Sequence, residues 1–229
     1  EEARNYKVDQ SFVNQMINAS ALDNGLHAGD LKFVDLDGNN KIEQTTSAND
    51  RKDMKVIGNS LPRYNYNFGI SADWYGIDFS VLFQGIGKQN WYPGAETSMF
   101  WGPYSRPYAS FIPSDFMSQV WSEENTNAYF PRPRGYVALG SNRELAVVNT
   151  KYLQNLAYCR LKNLSIGYTL PDKWLSKIGF EKIRVYFSGE NLLTFTKLHS
   201  DYIDPEQASA SNSWKTSKSD ANIYPWAKT

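Results

Sequence analysis

Residues Arg63–Gly87, RYNYNFGISADWYGIDFSVLFQGIG, decide the fold, because two successive segments alternate apolar and polar residues with only a tight turn between them. In the first arm Tyr64, Tyr66, Phe68, Ile70, Ala72 and Trp74 share one face, and Arg63, Asn65, Asn67, Gly69, Ser71 and Asp73 share the other. This is the period of two that belongs to a β-strand. The second arm repeats it, with Ile77, Phe79, Val81 and Phe83 against Asp78, Ser80 and Gln84, and Leu82 as the one intruder. Tyr75 and Gly76 are left to form a two-residue hairpin turn. Each arm is about ten residues, the length a tilted strand needs to cross bilayer hydrocarbon, and aromatic side chains stand toward the ends of the apolar face. The same residues also fit a hairpin of a soluble β-sandwich.

Composition narrows the choice. The 229 residues include 15 Tyr, 12 Phe and 7 Trp, an aromatic content that suits either a carbohydrate-facing protein or a membrane barrel with aromatic girdles. With 24 basic and 24 acidic residues the formal charge is zero, so the chain lacks the electrostatic footprint of a nucleic-acid binder. The single cysteine, Cys159, has no intrachain disulfide partner and no neighbouring zinc-type ligands, and reads as a small strand residue. No apolar run is long enough for a membrane-spanning helix, which a β-barrel would not show either. The opening EEARNYKVDQ has no signal-peptide pattern, so the expectation is either a protein that is not exported or a chain that starts away from its natural beginning.

Residues 1–61 are polar and rich in turn formers, with a short helix expected over Ser11–Ile17. Within them, LKFVDLDGNNKIE places Asp35, Asp37 and Asn39 at positions 1, 3 and 5 of a calcium loop, the Lys41 carbonyl at 7 and Glu43 at 9. Thr46 stands where position 12 needs a carboxylate, so Asp50 is the expected closing ligand if the intervening residues bulge outward. The competing reading is an Asp/Asn/Gly turn without an ion.

A long irregular region covers 88–151. In it Trp91, Tyr92, Trp101, Tyr104 and Tyr108 interleave with Pro93, Pro103 and Pro107, an arrangement expected to hold rings on which a sugar can stack, or else to pack the loop itself. SDFMSQVWSE, from Ser114 to Glu123, is expected to be a short helix capped by Ser114 or Asp115. Alternation returns over Tyr158–Leu170, less cleanly upstream of Lys162, and again over Lys182–Leu192, so that 152–192 holds two strands joined by a compact turn from Pro171 to Gly179. A polar loop is expected over 193–222, and a last strand begins at Ile223, Tyr224, Pro225 and Trp226. Connections therefore alternate long and short. In an outer-membrane barrel the long ones are extracellular loops and the short ones periplasmic turns.

Four motifs then occur in order: GDLKFVDLDGNNKIE from Gly29, NDRKDMKVIGNSLP followed by the hairpin to Phe-Gln-Gly, YCRLKNLSIGYTLP from Tyr158, and IRVYFSGENLLTFTK from Ile183. Together they resemble the C-terminal region of SusC-like (SusC/RagA family) TonB-dependent outer-membrane transporters over nearly the whole chain. The resemblance implies an all-β fold, the closing strands and long extracellular loops of a 22-stranded transmembrane barrel that is incomplete in this chain. It also implies an N-terminal plug, a SusD-like surface lipoprotein, energy delivered by the TonB complex, and import of oligosaccharides or peptides across the bacterial outer membrane. Plug, TonB-contacting segment and final strand are not in the sequence, which is expected to be a fragment.

The alternatives are a soluble carbohydrate-binding β-module and a glycoside hydrolase. The second would need paired carboxylates across a cleft, and Asp73, Asp78, Asp115, Glu190, Asp201 and Asp204 show no pairing signal. His27 and His199 are isolated in loops. No catalytic residue is expected, and the chain is read as a transporter wall instead of an enzyme.

Overall fold

The structure is a computed structural model that describes residues 5–14, 27–95, 97–105, 112–133, 138–140 and 143–212. The described residues fall into two compact units, one made of residues up to Gly58 with Tyr92–Leu153, the other of Asn59–Trp91 with residues 154–212.

The second unit is built on the hairpin. Strands β1 (Arg63–Trp74) and β2 (Ile77–Lys88) pair antiparallel from Trp74↔Ile77 to Arg63↔Lys88 without a register shift. Their turn residues Tyr75 and Gly76 have φ of 47° and 84°, the two left-handed positions of a type I′ turn, whose twist matches that of the strands. After a short pair, β3 (Asn90–Trp91) with β4 (Gln154–Asn155), come β5 (Tyr158–Thr169) and β6 (Arg184–Thr196). The sheet order is β1-β2-β5-β6, antiparallel throughout. Both short connections lie at one end of this sheet, while the long segments leave from the other.

The ragged alternation upstream of Lys162 is a β-bulge. Register shifts between Leu161 and Asn163 against β6, where Asn191 takes a left-handed φ of 54°, a conformation Asn tolerates better than most residues. Strand β6 runs on to Thr196, four residues beyond the boundary read from periodicity, because the bulge moves the alternation out of phase and hides the continuation.

In the same unit the compact turn contains a helical turn, α3 (Asp172–Leu175), preceded by Pro171, and a left-handed Gly179. Helix α4 (Pro205–Asn212) follows β6 inside the segment read as loop. The expected strand from Ile223 lies outside the described residues.

Among its described residues the first unit has little regular structure: α1 (Ser11–Asn14), α2 (Ser98–Trp101) and 3-10 turns at Gly102–Tyr104 and Phe116–Gln119. The helix expected over Ser11–Ile17 is described only to Asn14. That expected over Ser114–Glu123 is a 3-10 turn in which Asp115 makes no side-chain cap bond. What orders this unit is an aromatic core. Phe100, Trp101, Tyr104, Phe116, Phe130 and Tyr152 are all buried, with Phe130 stacked on Phe116 and Tyr152 and edge-on to Phe100. Such ring pairs add to the stabilisation from area burial, and they replace the backbone ladder this segment lacks.

Candidate functional site

Two features of the described residues carry chemistry, and each is best built from its own unit. The first is the sheet. Because register is continuous through the hairpin, side chains directly opposite one another form rows across four strands: Trp74, Ile77, Tyr168 and Val185; Ala72, Phe79, Ile166 and Phe187; Phe68, Phe83, Leu161 and Leu193. Every member is apolar or a tyrosine. At the fourth apolar row, Ile70, Val81 and Leu164, the partner in β6 is Gly189, and Leu192 folds over it. Yet this face is open, with Phe68 49%, Ile70 59%, Phe187 59% and Val185 64% exposed. A continuous apolar patch of this extent is not left facing water by a soluble domain.

The opposite face is polar: Ser71, Ser80, Ser165 and Ser188 form one row, Asp73, Asp78, Gly167 and Tyr186 the next. Arg184 donates to both carboxylate oxygens of Asp78, at 2.8 and 2.5 Å, and the pair crosses β5 directly over Gly167, where any side chain would strike it. On the apolar face Tyr66 crosses Gly85 in the same way to donate to the Tyr158 carbonyl at 2.9 Å. Both glycines are therefore spaces that long side chains occupy.

The second feature is the acidic loop. Asp35 accepts the backbone N–H groups of Gly38 (2.7 Å) and Asn40 (2.8 Å), and Asp37 accepts that of Asn39 (3.1 Å), the hydrogen bonds of a tight Asx-rich turn. Asn40 takes the left-handed φ of 62° that the displaced glycine leaves to it. Desolvation works against the Asp35 anion, but the N–H donors of Asn40 and Gly38 prevail and hold its carboxyl below the usual carboxylate range.

Carboxylate oxygens of Asp35, Asp37 and Asp53 come within 4.8 Å of one another. Asp53, and not the Asp50 expected from spacing, is the acid brought close to Asp35 and Asp37. Asp53 is fixed by accepting the N–H groups of Leu36 and Glu43, both at 2.7 Å, while Asp50 pairs outward with Lys52 at 3.4 Å. Glu43 lies between Lys41 and Lys52, and the Asn39 side-chain oxygen accepts the Lys41 N–H. The only signal for Asp53 in the sequence is its place in NDRKD, three residues beyond the acid whose spacing looked right.

The aromatic residues expected to form a binding platform are placed differently from that expectation. Trp91 is 2% exposed, and Trp101 and Tyr104 are fully buried. The Trp101 indole donates to the Gly94 carbonyl at 3.0 Å, and half-buried Tyr92 donates to the Leu145 carbonyl at 2.7 Å. Tyr104 donates to the Pro131 carbonyl. With rings packed and hydroxyls spent internally, these residues order the loop and do not offer stacking faces; Tyr108 lies outside the described residues. Burial also pushes the Tyr92, Tyr104 and Tyr152 hydroxyls far above the ordinary tyrosine range.

Of the scattered carboxylates, Asp78 is committed to Arg184 and Asp204 to Arg160. Among the described residues no helix is long and apolar enough to cross a membrane.

No protein-family model matches the chain. It is similar to TonB-dependent receptor P3 of Formosa agariphila, 35% identical over 176 residues, which make up 76% of this chain and 15% of that protein. TonB-dependent receptor P26 of the same organism is 27% identical over 192 residues, 83% of this chain and 17% of the relative. The chain thus spans about a sixth of the length of the curated relatives it matches. Among solved structures, the RagAB peptide importer in its open-open state is 24% identical with a TM-score of 0.45, covering 71% of this chain and 16% of that one.

Proposed function

This chain belongs to the TonB-dependent receptors, with the motif order of their SusC-like members, and we propose that its sheet is a section of the barrel wall of an outer-membrane importer. The observation that carries this reading is the pair of unlike faces on one sheet: apolar rows left open on one side, serines, carboxylates and a charged clamp on the other. In a bilayer the first face meets lipid and the second lines the lumen. Dimensions support it. A strand of twelve residues extends about 36 Å and, tilted by roughly 40°, spans about 28 Å, close to the hydrocarbon thickness.

The free edges of β1 and β6 pair with further strands of the same barrel, since open edges are not tolerated in lipid. The end holding Tyr75–Gly76 and the α3 turn faces the periplasm, and the long segments face the cell exterior. The cargo is an oligosaccharide or a peptide, taken up with a plug, a SusD-like lipoprotein and TonB. In the assembled receptor the loop of Asp35, Asp37 and Asp53 holds a calcium ion. Three converging carboxylates of a loop whose backbone is already folded by its own hydrogen bonds support that assignment.

Single cysteines test the wall in the whole receptor. A cysteine at Phe68 should react with a lipid-soluble reagent and resist a water-soluble one, and a cysteine at Asn67 should do the reverse. A position 68 closed to both packs against protein, and the wall reading fails.

A further inference from the structure

Beyond its paired strands, the polar face of the sheet carries a piece of chain fastened to it. Arg160 of β5 is 2% exposed and points to that face: its Nε donates to Thr194 Oγ1 of β6 at 2.9 Å, its Nη1 to Glu206 at 2.7 Å and its Nη2 to Asp204. Lys162 adds a second cation to Glu206 at 3.1 Å. The two acids come from the segment that leaves β6. Beside the charges, Leu198, Ile203 and Ala208 of that segment are buried and the His199 N–H donates to Gln154 at 3.1 Å.

Asp204 serves twice. Its Oδ1 accepts the N–H groups of Glu206 and Gln207, capping α4, while its Oδ2 meets Arg160. The helix therefore starts at the point where the chain is pinned to the wall. A buried guanidinium with three side-chain acceptors is expensive to leave half satisfied, so the segment is held in one place or released as a whole.

We propose that residues 197–212 form a strap pinned by Arg160 across the inner wall, and that its release widens the passage along the polar face. This rests on reading that face as the lumen. Arg160 is a positioning residue, acting through Asp204 and Glu206. The two cations and two anions balance, so the device is neutral when closed and exposes two positive groups to the lumen when open. An anionic or strongly hydrogen-bonding cargo group that competes for Arg160 would favour the open form.

The test uses the whole receptor with Asp204→Asn and Glu206→Gln together. Asn caps a helix about as well as Asp, so α4 keeps its cap while the pin loses both charges. Amide hydrogen exchange over 198–208 should lose protection by about a hundredfold or more, while β5 and β6 stay protected. In planar bilayers the whole receptor carrying these changes should pass more current than its parent, and Arg160→Lys, a single point charge that cannot span the acceptors, should fall between them.

Unchanged exchange overturns the pin. Lost protection with unchanged conductance overturns the gating role while leaving the barrel intact. Failure of the lumen reading is separately visible: a cysteine at Phe68 closed to both reagents, or one at Asn67 that resists the water-soluble one, shows it whatever the strap does, and the proposal falls with it.

Discussion

Arginine at position 68 is the sharpest test of the wall. Phe68 is the sixth of twelve residues in β1, so in a spanning strand it lies near the bilayer midplane, in the row with Phe83, Leu161 and Leu193. It is half exposed in the chain and stacks on Phe83 with centroids 5.0 Å apart. If that face meets water, Phe68→Arg loses only the stacked pair, about 0.5–1.5 kcal/mol. If it meets lipid, the charge itself adds about 2–4 kcal/mol at midplane depth. The lipid term alone corresponds to roughly a 30- to 900-fold change in the folding equilibrium.

Asn67→Arg, one residue away but on the polar face, should cost within about 0.5 kcal/mol under either reading, and so controls for charge and bulk. The assay is the folded, heat-resistant fraction of the whole receptor after refolding into phospholipid vesicles across a urea series. A Phe68→Arg cost below about 1.5 kcal/mol, or equal to that of Asn67→Arg, would refute the assignment of faces.

Three further outcomes are expected. In the acidic loop, Asp53→Asn should abolish calcium-dependent protection of residues 30–57 from proteolysis in the whole receptor, whereas Asp50→Asn, which breaks only an outward pair with Lys52, should leave it intact. Gly167→Ala should lower assembly yield by displacing the Asp78–Arg184 pair, and should have no further effect once Asp78 is already Ala, since the new Cβ then meets no clamp. The buried hydroxyls of Tyr92, Tyr104 and Tyr152 are held protonated by burial, so the unfolded chain releases these protons first as pH rises past about 10. The first unit should therefore lose stability above that pH, and Tyr152→Phe, which removes one titrating group, should make that loss shallower with pH as followed by proteolysis.

The strands around Arg63–Gly87 were legible in the sequence because their information is local. A period of two, a Tyr-Gly turn able to take two positive φ values and an unbroken register specify both faces at once, since a slip of one residue would exchange them. Asn40 in the left-handed region and the Asp35 turn are likewise decided by neighbours within five residues.

What only the tertiary structure decided depends on residues far apart in the chain. Asp53 rather than Asp50 closes the acidic loop because the N–H groups of Leu36 and Glu43, 17 and 10 residues away, point at it. Phe100, Trp101, Tyr104, Phe116 and Phe130 turn inward because a segment without a backbone ladder is ordered by its own rings, a choice composition leaves open between platform and core. Arg184 finds Asp78 across 106 residues and Arg160 finds Asp204 across 44, pairings that no spacing rule encodes. Arg184 meets Asp78 because the β2-β5-β6 register sets them on either side of Gly167, and Arg160 meets Asp204 because the chain after Thr196 returns an acid to a buried cation, where desolvation makes an unpaired charge costlier than ordering the chain that pairs it.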